Sequence, residues 1–299
     1  MTAGSRNHLL PVRLADGLLV EAVFYGTGTL CLSTQAGCAM GCPFCAAGRG
    51  GFARNLSQEE LAAQVSAARQ RGYEPARLTL SGMGEPLANP AAVIPFLVEQ
   101  HRQGLPVSLT TTGRPLSQLA AFLRLPHNGL MLSMHSADAV THRRLVPAGP
   151  DFAALWDLLA ACWPLLSRRQ RRRLGASYLL LAGVNDRDQD LVALKDRLQP
   201  FRELTVHLLL PNPVPASPFR PSPASVVAHW HQALRGRGIH VRRANCWRRE
   251  RTGGCGTLFL RERPAAVLEK AQEGQDQPSS ATDTRAQVES LPRHPPAPG

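Results

Sequence analysis

The chain has 299 residues, a hydrophobic content of 43% and a formal net charge of +12, enough for one α/β barrel or two domains. No apolar run approaches the roughly 20 residues of a membrane helix, and the first residues lack a signal peptide's apolar core; a membrane-spanning or secreted class is excluded and the expected location is cytoplasmic. Seven cysteines, four of them clustered, fit metal or redox use in a reducing compartment better than a disulfide framework.

Residues 1–17 read as a short, poorly structured lead. Residues 18–25 read as a strand, with Glu21 inside it, a position that is ordinarily solvent-facing. The next strand, 30–35, carries Cys31 and runs into a cysteine-rich loop. Ser57 to Glu60 has the form of a capping box, so a helix is expected to Arg71, with Leu61, Val65 and Ala68 on one face and Gly72 as its stop. A buried strand over 76–82 ends in Gly-Met-Gly-Glu-Pro. Asn89-Pro90 opens another helix with a cap and a first-turn proline, and Pro95 inside it predicts a kink.

Further on, 106–113 is a strand, 116–123 a helix and 129–136 a strand. A helix over 152–166 carries Cys162 on its apolar side, as a packed thiol. Residues 175–186 form a strand and loop, 188–198 a helix and 204–213 a strand. Ser222-Pro223 caps a helix that ends near Gly236, and 239–244 is a last strand. The alternation argues for parallel strands with helical crossovers. Counting from Leu30, six such strands suggest an open or partial barrel rather than the eight of a closed one. Polar, glycine-bearing stretches sit just after strands, at 82–86, 110–113, 133–136 and Asn212, the edge where barrel folds keep their sites. Residues 18–263 are therefore taken as one core. Residues 264–299, rich in Gln, Glu, Ser and Pro, are taken as a disordered tail.

Arginine supplies most of the charge, in runs at 168–173 and 241–251. Such surfaces favour polyanions, nucleic acid above all.

The stretch with the most chemistry is 31–45. Cys38, Cys42 and Cys45 stand in a C-x3-C-x2-C spacing, with Cys31 seven residues upstream. An iron–sulfur cluster usually takes four cysteines, so three leave one iron with an open position. The competing reading is a closed structural zinc site with Cys31 as the fourth ligand, in a non-catalytic RNA-binding module.

The Cys triad with Phe44 before its last member resembles the radical S-adenosylmethionine (SAM) superfamily. CLSTQAGCAMGCPFCAAGRGGFARNLS, GMGEPLANP, TTTG, LSMHSADAVTHRRLVPAG, LLPNPVPASPF and GGCG occur in the order seen in its RlmN/Cfr adenosine methyltransferases. The resemblance covers residues 18–260. It implies an α/β partial (β/α)6 TIM-like barrel with a short N-terminal strand extension. It also implies a 4Fe-4S cluster on Cys38, Cys42 and Cys45, and SAM contacts from Gly84, Glu85, Thr112, Ser133, Met134, His135 and Asn212. TTTG stands where the family has Thr-Ser-Gly, so Thr112 is expected to supply the hydroxyl.

The chemistry implied is methylation of adenine C2 or C8 in ribosomal RNA, with transfer RNA as a further substrate. An amidine carbon is electrophilic, so SAM's electrophilic methyl cannot be passed to it directly. The resemblance implies that Cys255 takes the methyl group first, and that a second SAM, cleaved at the cluster, activates it. Cys31 then attacks the Cys255 sulfur, closing a disulfide and releasing the base. Glu21 matches a glutamate assigned as proton acceptor. An external electron donor such as flavodoxin, a monomeric state and no membrane are further expectations. So is the lack of the family's N-terminal accessory domain, which puts another substrate for the same fold in play. Cys162 and Cys246 match nothing in the pattern.

Overall fold

A computed structural model describes residues 7–214, 217–243, 246–250, 253–254 and 256–258. Its first strands, β1 (Asn7–Arg13) and β2 (Leu19–Tyr25), pair antiparallel through a turn at Asp16-Gly17. The lead expected over 1–17 is thus corrected from residue 7 onward. Leu10 and Val12 point inward and their neighbours outward, a two-residue alternation across a hairpin that the Pro11 in its middle obscures. Proline is tolerated there because β1 is an edge strand.

β2 pairs antiparallel with β3 (Thr29–Leu32). β4 (Gln35–Gly37) and β5 (Phe52–Asn55) form a separate two-stranded sheet that gathers the base of the intervening loop. After β3 the main sheet is parallel throughout, in the order β3, β6 (Arg77–Leu80), β7 (Val107–Thr111), β8 (Gly129–Ser133), β9 (Leu174–Leu179), β10 (Thr205–Leu209) and β11 (His240–Arg243). The six parallel strands counted from Leu30 are present, and the last strand expected, 239–244, is β11, a seventh at the edge.

Helices α1 (Ala46–Arg49), α2 (Gln58–Gln70), α3 (Pro90–Arg102), α4 (Leu116–Phe122), α5 (Ala139–Leu145), α6 (Phe152–Cys162), α7 (Arg168–Arg171), α8 (Asp188–Leu198) and α9 (Ala224–Gly236) fill the crossovers. α2 begins with the reciprocal Ser57–Glu60 capping box, and buries Leu61, Val65 and Ala68 as its spacing requires. Two expected caps are not made. Asn89 turns its amide inward to the carbonyls of Thr34 and Leu56, at 2.9 and 2.8 Å. The Ser222 hydroxyl donates instead to Asp186 at 2.6 Å. α3 runs through Pro95. α5 was not foreseen, since its charged sequence has a buried face of just His142 and Leu145.

The sheet has two unlike faces. Leu30, Leu32, Leu78, Leu80, Leu109, Leu130, Leu132, Val206 and Leu208 are all at most 2% exposed and pack against the helices, each Leu worth roughly 2 kcal/mol of burial. Their neighbours face the barrel interior, where register places Thr79 beside Ser108, and Ser177 between Ser133 and His207. Strand period two therefore separates a leucine layer from a hydroxyl-lined lumen. Among the described residues, no helix is long and apolar enough to cross a membrane. The tail expected over 264–299 lies outside them.

Candidate active site

The C-terminal ends of β6 to β10 and the loop after β3 enclose a cleft of about 170 Å³. Its walls include Cys38, Cys42 and Cys45, then Gly84, Glu85, Thr112, Ser133, His135 and Asn212. All the triad and all but one of the residues expected to hold SAM thus meet in one place. The exception is Met134, whose side chain is buried in the core, with its carbonyl 2.9 Å from His142 Nδ1.

The cysteine loop is shaped by the small sheet below it. The Cys38 amide donates to the Gly51 carbonyl at 2.8 Å. Gly37 sits at a φ of +85°, and a Cβ there would stand 1.9 Å from the Gly51 oxygen, so no other residue fits. Burial pushes the Cys38 thiol up to about 11, against backbone hydrogen bonds from Met40 and Gly84, and holds Cys42 well above the ordinary range. Buried thiols of this kind ionise when a metal takes the proton's place. No group of three His, Cys, Asp or Glu among the described residues could hold one metal ion. Cys31, the fourth ligand expected for a closed zinc site, is not among the residues that line the cleft. Three cysteines on one wall of a roomy cleft fit a cluster with an open corner instead.

Glu85 organises the opposite wall. Its Oε1 accepts from the Thr111 hydroxyl and from Leu87 N at 3.1 Å. Its Oε2 accepts from Thr112 N and Thr112 Oγ1, both at 2.7 Å. Burial raises its pKa while these donors oppose the shift. With four protein donors on the carboxylate, Glu85 acts on the site through its field and through the turn it fixes. The Thr112 hydroxyl is spent in this network. Gly84, at φ +108°, packs so closely that a Cβ would come within 2.7 Å of Thr34 and Gln35 side chains.

His135 is held neutral, its pKa lowered to about 3 by burial. Leu179 N donates to its Nδ1 at 3.2 Å, which places the proton on Nε2. Phe44 of the cysteine loop meets the ring edge-on with centroids 5.0 Å apart. Asn212 Nδ2 donates to the Arg248 carbonyl at 2.6 Å.

Glu21 and Cys31 stand apart from the cleft wall. Val23 of β2 lies opposite Cys31 of β3, so Glu21, two residues away, shares a sheet face with that thiol. Glu21 is 2% exposed, against the solvent-facing position that is usual for a lone strand carboxylate. Its carbonyl accepts from Ser33 Oγ at 2.7 Å.

Cys255 and Cys246's side chain lie outside the described residues, and so does any disulfide to Cys255. Its neighbours are placed. Among the described residues β1 and β11 are the unpaired edges of the sheet. Glu250 accepts from Asn7 N at 3.2 Å, Gly253 packs on Val23 and Gly254 on Asn212. Gly256 lines the cleft.

Sequence reasoning missed Ser81 and Ser177, which also line the cleft, and it marked 110–113 as a site stretch without giving Thr110 or Thr111 a role. The alternation of hydroxyl and leucine along β6 to β9 was the available signal. It missed as well that the two arginine runs face opposite ways. Arg248 and Arg249 line the cleft. α7 directly precedes the start of β9 and therefore sits at the other end of the barrel.

The model of the radical SAM superfamily matches residues 32–194. A protein of Halorhodospira halophila named dual-specificity RNA methyltransferase RlmN is 34% identical over 87% of this chain and 75% of its own. A probable RNA methyltransferase of Thiobacillus denitrificans is 35% identical over 87% and 72%. Among solved structures, a radical SAM methyltransferase from Sphaerobacter thermophilus matches with a TM-score of 0.70 at 29% identity, over 86% of this chain and 79% of that one. SuiB of Streptococcus suis bound to S-adenosylmethionine shares the fold, with a TM-score of 0.57 at 10% identity, over 72% and 50%. A cysteine triad at the mouth of a hydroxyl-lined partial barrel and these likenesses agree: the chain belongs to the radical SAM superfamily, in the family of the RlmN RNA methyltransferases.

Proposed function

We propose that this protein methylates adenine in RNA at C2 or C8, through an S-methylcysteine on Cys255. The observation that carries the reading is the junction of two distant segments. The loop holding Cys38, Cys42 and Cys45 and the segment that flanks Cys255 meet at one cleft, where Ala46 N donates to the Gly256 carbonyl at 2.7 Å. Ribosomal RNA, with transfer RNA as a second substrate, is in keeping with the dual specificity of the RlmN relatives. Family membership brings the 4Fe-4S cluster and SAM with it.

Cys38, Cys42 and Cys45 would hold the cluster, which when bound supplies the electron that cleaves SAM. The chain's own groups do the rest. Glu85, pinned by Thr111 and Thr112, fixes the Gly84 turn and brings negative charge toward an ammonium group. His135 offers its Nε2–H as a donor and cannot compete for protons, being neutral. Cys255 acts as the nucleophile toward a methyl group, in thiolate form. Glu21 accepts a proton near Cys31, whose sulfur ends the sequence by bonding to that of Cys255.

The enzyme, reconstituted under anaerobic conditions, should convert adenosine to a methyladenosine in rRNA fragments, read by nucleoside mass spectrometry. SAM cleavage without base methylation would favour another substrate for the same fold. Failure to cleave SAM under a strong reductant would overturn both.

A further inference from the structure

Behind the cleft wall lies a thiol that the cleft does not expose. Cys31 is 1% exposed and stands directly across from Thr79 in the β3–β6 register. Its Sγ is 3.5 Å from Ser81 Oγ, and Ser81 Oγ is 3.0 Å from Thr79 Oγ1. Ser81 lines the cleft, as Cys38, Cys45 and Glu85 do. One hydroxyl therefore stands between the sulfur of Cys31 and the space where the reaction takes place.

We propose that Ser81 is a positioning residue for Cys31. Its hydroxyl, oriented by that of Thr79, keeps the sulfur turned to the lumen and donates to it once it is a thiolate. The inference rests on the reading of Cys31 as the thiol that attacks Cys255. A buried thiol resists ionisation, and the residue opposite Cys31 on β2 is Val23. Each hydroxyl has one proton to give. When Thr79 donates to Ser81, the Ser81 proton is left for sulfur, and a hydrogen bond to an ionised acceptor is about twice as strong as a neutral one. The ionisable side chains on the same face of the adjoining strands are Glu21 and Tyr25 of β2 and Arg77 of β6. Ser81 is set apart from these by its hydroxyl, which stands within hydrogen-bonding reach of the sulfur and also opens onto the cleft.

The test is site-resolved thiol modification of the holoenzyme across pH, with a small alkylating reagent and mass spectrometry. Ser81→Ala should move the modification profile of Cys31 to higher pH and slow it about tenfold at fixed pH, the effect of one pK unit. Ser81→Thr, which keeps the hydroxyl, should restore it. Thr79→Val, isosteric and at a distance from the cleft, should shift it in the same direction by a smaller factor. In turnover with RNA, Ser81→Ala should accumulate a covalent protein–RNA adduct at neutral pH that disappears as pH rises. Unchanged profiles in Ser81→Ala and Thr79→Val overturn the proposal. If Ser81→Ala does not fold, Thr79→Val decides alone. The control is Cys31→Ala: if that variant traps no adduct, the reading of Cys31 is at fault; if it does while Ser81→Ala shifts nothing, the role given to Ser81 is.

Discussion

The amide of Ala46 and the carbonyl of Gly256 are joined by a 2.7 Å hydrogen bond, although 210 positions separate them in the chain (256 − 46). The bond anchors the far end of the chain to the first helical turn after Cys45. If Cys255 carries the methyl group, Cys255→Ala should abolish RNA methylation yet leave SAM cleavage in place. Cys31→Ala should trap a protein–RNA adduct, visible as a retarded band that nuclease removes. A Cys255→Ala enzyme that still methylates RNA would refute the assignment.

The Glu85 network predicts a costly conservative change. Glu85→Gln turns one acceptor oxygen into an amide that faces other donors, the Thr111 hydroxyl on one side or Thr112 on the other. An unsatisfied buried group of this kind costs about 1–3 kcal/mol. Folding stability should fall by that amount. SAM affinity, measured by equilibrium binding to the reconstituted enzyme, should fall as the Gly84 turn loosens, and Thr111→Val should weaken it less. Unaltered affinity in Glu85→Gln would remove the carboxylate from the binding argument.

The two arginine runs should separate experimentally. Changing Arg248 and Arg249 together to Gln should weaken RNA binding and reduce its salt dependence by about one unit of slope for each phosphate no longer neutralised. Changing Arg168, Arg169 and Arg172 together should leave affinity within a factor of about two, because α7 lies at the end of the barrel away from the cleft. The reverse ranking in a filter-binding assay at low salt would place the RNA on the other face.

Acid should destabilise the fold through its buried histidines. His127 and His207 have their pKa values lowered to about 4, chiefly by burial. Both are protonated in the unfolded chain below the usual 6.5 and resist protonation when folded. The stability they contribute is present above pH 6.5 and lost as pH falls through the window down to about 4. Each can add up to about 1.4 kcal/mol of slope per pH unit. Denaturant melts of His127→Leu between pH 7 and 5 should show a flatter decline than wild type. An equal slope would mean that His127 does not titrate on unfolding.

The parts of the fold that could be read from sequence were those with strong local signals. Ser57 and Glu60 mark the start of α2, and the leucine-rich strands stand out because they are buried on the helix side. β1 was concealed by a proline that edge position permits, and α5 by charges that leave two of its residues to pack. The triad was legible because sulfur spacing is itself the signal. The residues that motif resemblance grouped as the SAM side meet at the cleft wall except Met134, because sequence adjacency to His135 does not say which side of a strand end faces the cleft. Ser81 was invisible and the partner of Thr111 was too, because nothing in the chain says that their hydroxyls meet Cys31 and Glu85. Asn89 and Ser222 have the right residue types for caps, and tertiary partners claimed both.

The hydroxyl-lined lumen has a thermodynamic corollary. Serine and threonine at the strand ends share the cleft wall with Met40, Phe44, Val146, Leu179 and Leu209, so an empty cleft leaves apolar as well as polar groups uncovered. A ligand bound by the folded state alone adds cohesion there, so melting temperature should climb with SAM concentration as the logarithm of one plus the ratio of that concentration to Kd.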